Sequence, residues 1–240
     1  MQSFRTAAEL APNSPEVHYN RANVLRELRR LPEARRAYGQ SLRANSAFAL
    51  SLVNLSAMEL EQGRADAALE LLLRARQAEP GWAGEIHRRL GIARGAQGDS
   101  GGAEREYLAA IEFDESSAET HYNLANLYYN TGRSEQAARH YERALDLAPT
   151  SRKIYFNLAD AYCAVGRYAD AEEVSDRGLR LAPSEVKLYY TLGVAQEGLG
   201  KLDAAIASYE RFIASARESA AVMKNVKARL RDLKIAAPSR

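Results

Sequence analysis

The chain has 240 residues, enough for one large domain or two modest ones. Its 33 lysines and arginines nearly balance 31 aspartates and glutamates, and the net charge of +2 argues against a strongly basic nucleic-acid-binding protein. The single cysteine excludes an internal disulfide framework and a cysteine-based zinc site. No stretch approaches the roughly 18 apolar residues of a membrane span, and the N terminus lacks the apolar segment of a signal peptide. We therefore expect a cytoplasmic chain.

Small residues recur along the sequence at a regular spacing. Gly98, Gly132, Gly166 and Gly200 stand 34 residues apart, and Gly63 joins them if one inserted residue is allowed. An alanine follows five residues after each glycine, and the alanine column extends one repeat further toward the N terminus. Its members are Ala34, Ala68, Ala103, Ala137, Ala171 and Ala205. A fixed period of this length is typical of a helical repeat array, and the alanines indicate close helix contacts.

Each repeat reads as two helices separated by a glycine turn. In residues 118–151, Leu124 and Tyr128 keep helical spacing, and the spacing breaks at Gly132. It resumes at Tyr141 and ends before Pro149. The predicted unit is therefore helix, glycine turn, helix, proline turn.

Residues 123–133, Asn-Leu-Ala-Asn-Leu-Tyr-Tyr-Asn-Thr-Gly-Arg, followed by Ala137, Tyr141, Ala144 and Pro149, resemble the tetratricopeptide repeat (TPR) family. The resemblance covers nearly the whole chain. It implies an all-α fold, a right-handed superhelical alpha-alpha solenoid of TPR helical hairpins. The six repeats are predicted at 15–48, 49–82, 84–117, 118–151, 152–185 and 186–219. Residues 1–14 are predicted to be the second helix of a partial repeat, which suggests a truncation or a larger parent protein. Residues 219–240 are predicted to form a capping helix with a short tail.

Three departures from the pattern stand out. Arg29 replaces the turn glycine of repeat one, Ser175 replaces an aromatic residue in repeat five, and Glu115 takes the proline position of repeat three. Seven of the 15 glycines lie within 81–102, so we predict that repeat three is locally weak. One hypothesis is that repeat three acts as a bend or hinge between residues 1–82 and 103–240. The alternative is that repeat three is packed more loosely and that this has no function.

No residue pattern indicates catalysis. His18, His87 and His121 occupy the same fourth position of their repeats, and histidines on separate helices 34 or 69 residues apart do not converge on one metal. Cys163 has no acid–base signature around it. We predict no catalytic residue, no metal and no cofactor, and therefore no enzyme.

In the TPR family the first helix of each repeat lines a concave groove, and the resemblance carries this face over to the present chain. Asparagines recur there at positions 6 and 9 of the repeats, with aromatic side chains at position 5. The predicted peptide-binding residues are Asn20, Asn54, Tyr122, Asn123, Asn126, Tyr129, Phe156, Asn157, Lys187 and Tyr190.

Two readings of the asparagine column stay open. It resembles the ladder of protein O-GlcNAc transferases, in which side-chain amides hold a peptide backbone, but the same residues also form hydrogen bonds within TPR arrays. Asn126, Asn157 and Lys187 fit the carboxylate clamp of chaperone-binding TPR proteins, whereas Tyr122 and Thr191 stand where cations are required. We therefore expect no strong preference for a free acidic C-terminal tail.

The predicted function is a non-catalytic protein–protein interaction module or scaffold. It would bind an extended peptide or a partner helix in the concave groove, mainly in repeats four to six, and not nucleic acid. Substituting Asn123 and Asn157 by alanine is expected to weaken the ligand without unfolding the array. The alternatives are the substrate-docking arm of a larger enzyme, of glycosyltransferase or sulfatase type, and a scaffold that self-associates through its ends.

Overall fold

The computed structural model describes residues 13–215 and 220–236, and every regular element in these ranges is helical. The predicted partial repeat at 1–14 lies almost wholly outside them. The α-helices are α1 Pro15–Glu27, α2 Leu31–Ala44, α3 Ala49–Glu61, α4 Ala65–Ala78, α5 Ala83–Ala96, α6 Ser100–Phe113, α7 Ala118–Asn130, α8 Ser134–Leu147, α9 Arg152–Ala164, α10 Tyr168–Leu181, α11 Val186–Gly198, α12 Leu202–Ser215 and α13 Ala220–Ala236. A short 3-10 helix, Pro80–Trp82, precedes α5.

The chain divides into two compact units, Met1–Glu115 and Ser116–Arg240. The described part of unit one holds α1–α6, and that of unit two holds α7–α13. The repeat boundaries inferred from the sequence stay a prediction beside these helix bounds. The division lies after Glu115, near the end of predicted repeat three, and not within the glycine-rich stretch that we considered as a hinge.

The glycines of repeat three have local roles in packing and turns. A Cβ atom on Gly91 would lie 2.6 Å from the ring of Tyr107, so this glycine permits the close approach of α5 and α6. The amide of Gly102 donates to the Asp99 carboxylate at 2.8 Å and closes the N-terminal cap of α6. Packing and capping therefore explain two of these glycines without a hinge.

The turn inside each hairpin requires a left-handed backbone. The recurrent glycines, Gly63, Gly98, Gly132, Gly166 and Gly200, have φ angles between 72° and 82°. Arg29 occupies the same turn in the first hairpin with φ of 58°, a conformation that is unfavourable for a side chain with a Cβ atom. The sequence departure at Arg29 is therefore accommodated by a strained residue rather than by a different turn.

The alanine column forms the contact between the two helices of each hairpin. All six members, Ala34, Ala68, Ala103, Ala137, Ala171 and Ala205, are completely buried. A methyl side chain at this position lets the helices approach closely, because a larger group would push the backbones apart. Their complete burial agrees with the close helix contacts predicted from the sequence.

Candidate functional site

The first helices of unit two, α7, α9 and α11, carry aromatic and lysine side chains in register. Position 5 of the repeats holds Tyr122, Phe156 and Tyr190, and position 2 of the last two holds Lys153 and Lys187. We call these five residues the first-helix face of unit two. The Lys153 ammonium lies 4.3 Å from the centroid of the Tyr122 ring, and that of Lys187 lies 5.5 Å from the Phe156 ring. Each lysine thus reaches back over the aromatic ring of the preceding repeat.

An open cleft of about 440 Å³ lies on this face. Its lining residues are Tyr122, Arg152, Lys153, Phe156, Asn157, Glu185 and Lys187. Four of the residues predicted from the sequence therefore come together here, from three consecutive first helices. The prediction missed Arg152 and Lys153. Comparing position 2 across the repeats could have found Lys153, because glutamate at repeats one, three and four changes to lysine at repeats five and six.

A smaller pocket of about 160 Å³ adjoins the cleft and shares Phe156 and Lys187 with it. Tyr190, Phe212 and Val222 complete its lining. The ring centroids of Tyr190 and Phe212 are 5.6 Å apart, so packing against α12 holds the predicted site residue Tyr190 in place. The surroundings are apolar apart from the Lys187 ammonium and the tyrosine hydroxyl.

The Asn157 amide is already hydrogen-bonded inside unit two. Its Nδ2 donates to the Tyr122 hydroxyl at 3.0 Å and to Asn126 Oδ1 at 3.1 Å. Asn126 Oδ1 also accepts from the Tyr141 hydroxyl at 2.5 Å. The four side chains form a network that joins α7, α8 and α9, so the donor of Asn157 stabilises the junction between two repeats.

The same network occurs in unit one, around the predicted site residue Asn54. Asn54 Nδ2 donates to Asn23 Oδ1 at 3.0 Å, and it lies 3.4 Å from the hydroxyls of Tyr19 and Tyr38. The Tyr38 hydroxyl donates to Asn23 Oδ1 at 2.5 Å. For Asn54 and Asn157 the structure therefore favours the second reading of the asparagine column, in which their amide donors link neighbouring repeats.

Three further residues predicted from the sequence, Asn123, Asn20 and Tyr129, lie outside these two networks. The Asn123 amide nitrogen is buried and has no hydrogen-bond acceptor among the described residues. Asn20 belongs to unit one and is exposed. The Tyr129 hydroxyl donates to Asp160 at 2.5 Å, and burial together with this carboxylate raises the pKa of the tyrosine. Tyr129 is therefore held as a neutral donor toward α9.

His87, His121 and His140 pack against neighbouring side chains, and Cys163 is partly buried. His121 Nδ1 and His140 Nδ1 are 3.0 Å apart with their rings stacked, and one nitrogen must donate to the other. Burial, with the neighbouring His121, lowers the pKa of His140 to about 4. In unit one, His87 Nδ1 lies 2.7 Å from a Glu106 carboxylate oxygen. Burial raises the pKa of the Cys163 thiol to about 12, which keeps it protonated at neutral pH.

The described part of the chain contains neither a metal-binding cluster nor a membrane-spanning helix. Within 13–215 and 220–236, no group of three or more histidine, cysteine, aspartate or glutamate side chains is arranged to hold a metal ion. The helices of the same ranges include none that combines the length and the apolar character needed to cross a membrane.

Comparison with family models supplies matches along most of the chain. Models described as tetratricopeptide repeat match residues 2–49 and 19–81, 118–151, 140–173 and 158–231. A further model, described as TPR repeat, matches 93–132. A search of curated proteins found no match.

Several solved structures share the fold at low sequence identity. The APC/C hetero-tetramer Cut9–Hcn1 gives a TM-score of 0.76 at 15% identity over 95% of this chain. MamA gives a TM-score of 0.61 at 22% identity. The match covers 67% of this chain and 94% of the MamA chain. YrrB, described as a TPR protein with an unusual peptide-binding site, gives a TM-score of 0.59 at 19% identity. The match covers 77% of this chain and 95% of the YrrB chain. The present chain spans only 45% of the length of the Cut9–Hcn1 chain that it matches.

These likenesses establish the fold and carry no ligand over to this chain. The fold class predicted from the sequence, an all-α solenoid of helical hairpins, is confirmed. The predicted binding residues stay a prediction, to be judged by the geometry around them and by experiment.

Proposed function

Because the chain belongs to the tetratricopeptide repeat family, whose members are typically non-catalytic interaction modules, we propose that it binds a protein partner in the groove of repeats four to six. The ligand is an extended peptide or a helix of the partner, seated on the first-helix face of unit two. One observation carries this proposal. Tyr122, Phe156, Asn157 and Lys187, predicted independently from their repeat positions, line a single open cleft.

The aromatic side chains supply most of the contact area in this proposal. Tyr122, Phe156 and Tyr190 are partly buried at equivalent positions of three successive repeats, so each keeps part of its ring accessible without having to move. Rings held in place by their neighbours lose little side-chain entropy on binding, which makes them effective anchors.

The hydrogen bonds of Asn157 change the role that the asparagines have in this proposal. Its donor is used within the repeat junction, so a peptide backbone would have to displace the Tyr122 and Asn126 acceptors to reach it. We therefore assign recognition mainly to the aromatic and cationic side chains, with the asparagines holding those side chains in register.

The same hydrogen bonds affect the choice of test variant. Replacing Asn123 and Asn157 by alanine, the pair expected from the sequence to weaken the ligand without unfolding the array, would mix loss of binding with some loss of stability. Phe156→Ala is cleaner, because the Phe156 ring lines both pockets and has the Lys187 ammonium over it. Phe113→Ala is the matched control, since Phe113 is 63% exposed at the end of α6.

The experiment is an affinity capture from a lysate of the native organism with the wild-type chain and the two variants in parallel. Circular dichroism should first confirm equal helical content. We expect a partner captured by the wild type and by Phe113→Ala to be lost with Phe156→Ala. Partners retained equally by all three would contradict the groove assignment and favour a scaffold that acts through other surfaces.

A further inference from the structure

The cleft on the first-helix face has an excess of unpaired positive charge. Its lining contains the cations Arg152, Lys153 and Lys187 and one acid, Glu185. Across the described residues, none of the three cations forms an ion pair with a protein carboxylate. Lys153 and Lys187 lie over aromatic rings, but converging cations that form no ion pair are available to an anion from outside.

Several other basic residues of unit two form ion pairs with acids of the same unit. Ion pairs join Arg167 to Glu142 and Asp170, Lys201 to Glu172, Arg229 to Glu197 and Lys234 to Glu210. These pairs connect helices or cap turns, whereas Lys153 and Lys187 lie over the Tyr122 and Phe156 rings and form no ion pair with a described carboxylate. Their charge is therefore available for recognition.

The position of the charge is specific to the end of the array. Position 2 carries Glu16, Glu85 and Glu119 in repeats one, three and four, and Lys153 and Lys187 in repeats five and six. Glutamate and lysine are both well solvated on a helix surface, so solvation alone does not explain the change from negative to positive charge at position 2. The change gives the lining of the cleft a surplus of positive charge that attracts acids, although repeats five and six as a whole have none.

The apolar pocket defines a second feature of the ligand. It shares the Phe156 and Lys187 side chains with the cationic cleft, so the two sites are separated by no more than these side chains. Its volume of about 160 Å³ suits one apolar side chain. A ligand that fills both sites must carry a negative and an apolar group close together.

We propose, resting on the function proposed above, that the groove selects segments in which an aspartate or glutamate lies within three residues of a large apolar side chain. The carboxylate is seated among Arg152, Lys153 and Lys187. The apolar side chain enters the pocket between Phe156, Tyr190 and Phe212. Recognition uses side chains along the segment, so it does not need a free C terminus.

The test uses the full chain as bait for a library of random dodecapeptides, displayed between two fixed segments so that no peptide has a free end. The charge-reversal variant is Lys153→Glu with Lys187→Glu, and the milder variant is Lys153→Gln with Lys187→Gln. The matched control is Lys224→Glu with Lys227→Glu, which reverses two exposed lysines on α13 outside the cleft. Enriched peptides are then synthesised, and their affinities are measured by fluorescence anisotropy.

We expect the wild type and the control to enrich the same acidic–apolar pairs. Charge reversal should weaken those peptides about tenfold or more, and the glutamine variant should weaken them less. Enriched peptides without an acidic preference, bound equally by the reversed variant, would overturn this inference and leave the groove function standing. If the wild type enriches no peptide at all, the groove function fails and the inference fails with it.

Discussion

Substituting Asn157 tests whether the asparagine column stabilises the array. In Asn157→Ala the amide donor is removed from the Tyr122 hydroxyl and from Asn126 Oδ1, bonds of 3.0 and 3.1 Å. Each such bond contributes about 0.5–1.5 kcal/mol, so the free energy of unfolding should fall by about 1–3 kcal/mol. The Tyr141 hydroxyl still donates to Asn126, and this limits the loss.

The column itself offers a matched control. Asn20 occupies the same repeat position in repeat one and is exposed. Asn20→Ala should therefore change the free energy of unfolding by less than about 0.5 kcal/mol. Asn54→Ala removes the equivalent network of unit one and should resemble Asn157→Ala, although two of its three contacts are longer, at 3.4 Å.

Hydrogen exchange resolved by segment is the suitable assay, because repeat arrays do not always unfold in one step. Asn157→Ala should lower protection in α7, α8 and α9, the helices that the network joins, while unit one stays unchanged. Urea unfolding followed by circular dichroism gives the overall loss. If Asn157→Ala and Asn20→Ala behave alike, the network has no measurable effect on stability and the structural reading is wrong.

Two further predictions follow from strain and from burial. Arg29→Gly should raise the free energy of unfolding by about 1 kcal/mol and with it the urea midpoint, because glycine tolerates the φ of 58° that arginine does not. An unchanged midpoint would show that the turn is not strained. The pKa of His140 is lowered from an ordinary 6.5 to about 4, so the native state holds this imidazole neutral. The stability that the neutral imidazole contributes is therefore complete above pH 6.5 and is lost as the pH falls toward 4. Urea midpoints at several pH values should therefore fall less steeply below pH 6.5 in His140→Gln, whereas parallel curves for the two proteins would contradict this origin of the pH dependence.

The repeat register was predictable because it follows from local geometry. A turn that needs positive φ selects glycine, and a close helix contact selects alanine, so both residues recur with the period of the fold. The φ angles of the five turn glycines and the complete burial of Ala34 and its equivalents are consequences of that spacing. The aromatic residues at position 5 recur with the same period, and two of them, Tyr122 and Phe156, line one cleft.

The sequence alone did not determine how the side chains of that face pair with one another. Asn20, Asn54 and Asn157 occupy one column, yet their surroundings differ. The amides of Asn54 and Asn157 are hydrogen-bonded to a tyrosine and an asparagine of the preceding repeat, whereas Asn20 is exposed. Likewise Arg152 and Lys153 look like ordinary surface cations in the sequence. Only the packing of three consecutive repeats brings them beside Lys187 in one cleft, since residues on separate helices meet through tertiary contacts. Local backbone geometry therefore determined the fold, and the contacts between repeats decided which groups are available to a ligand.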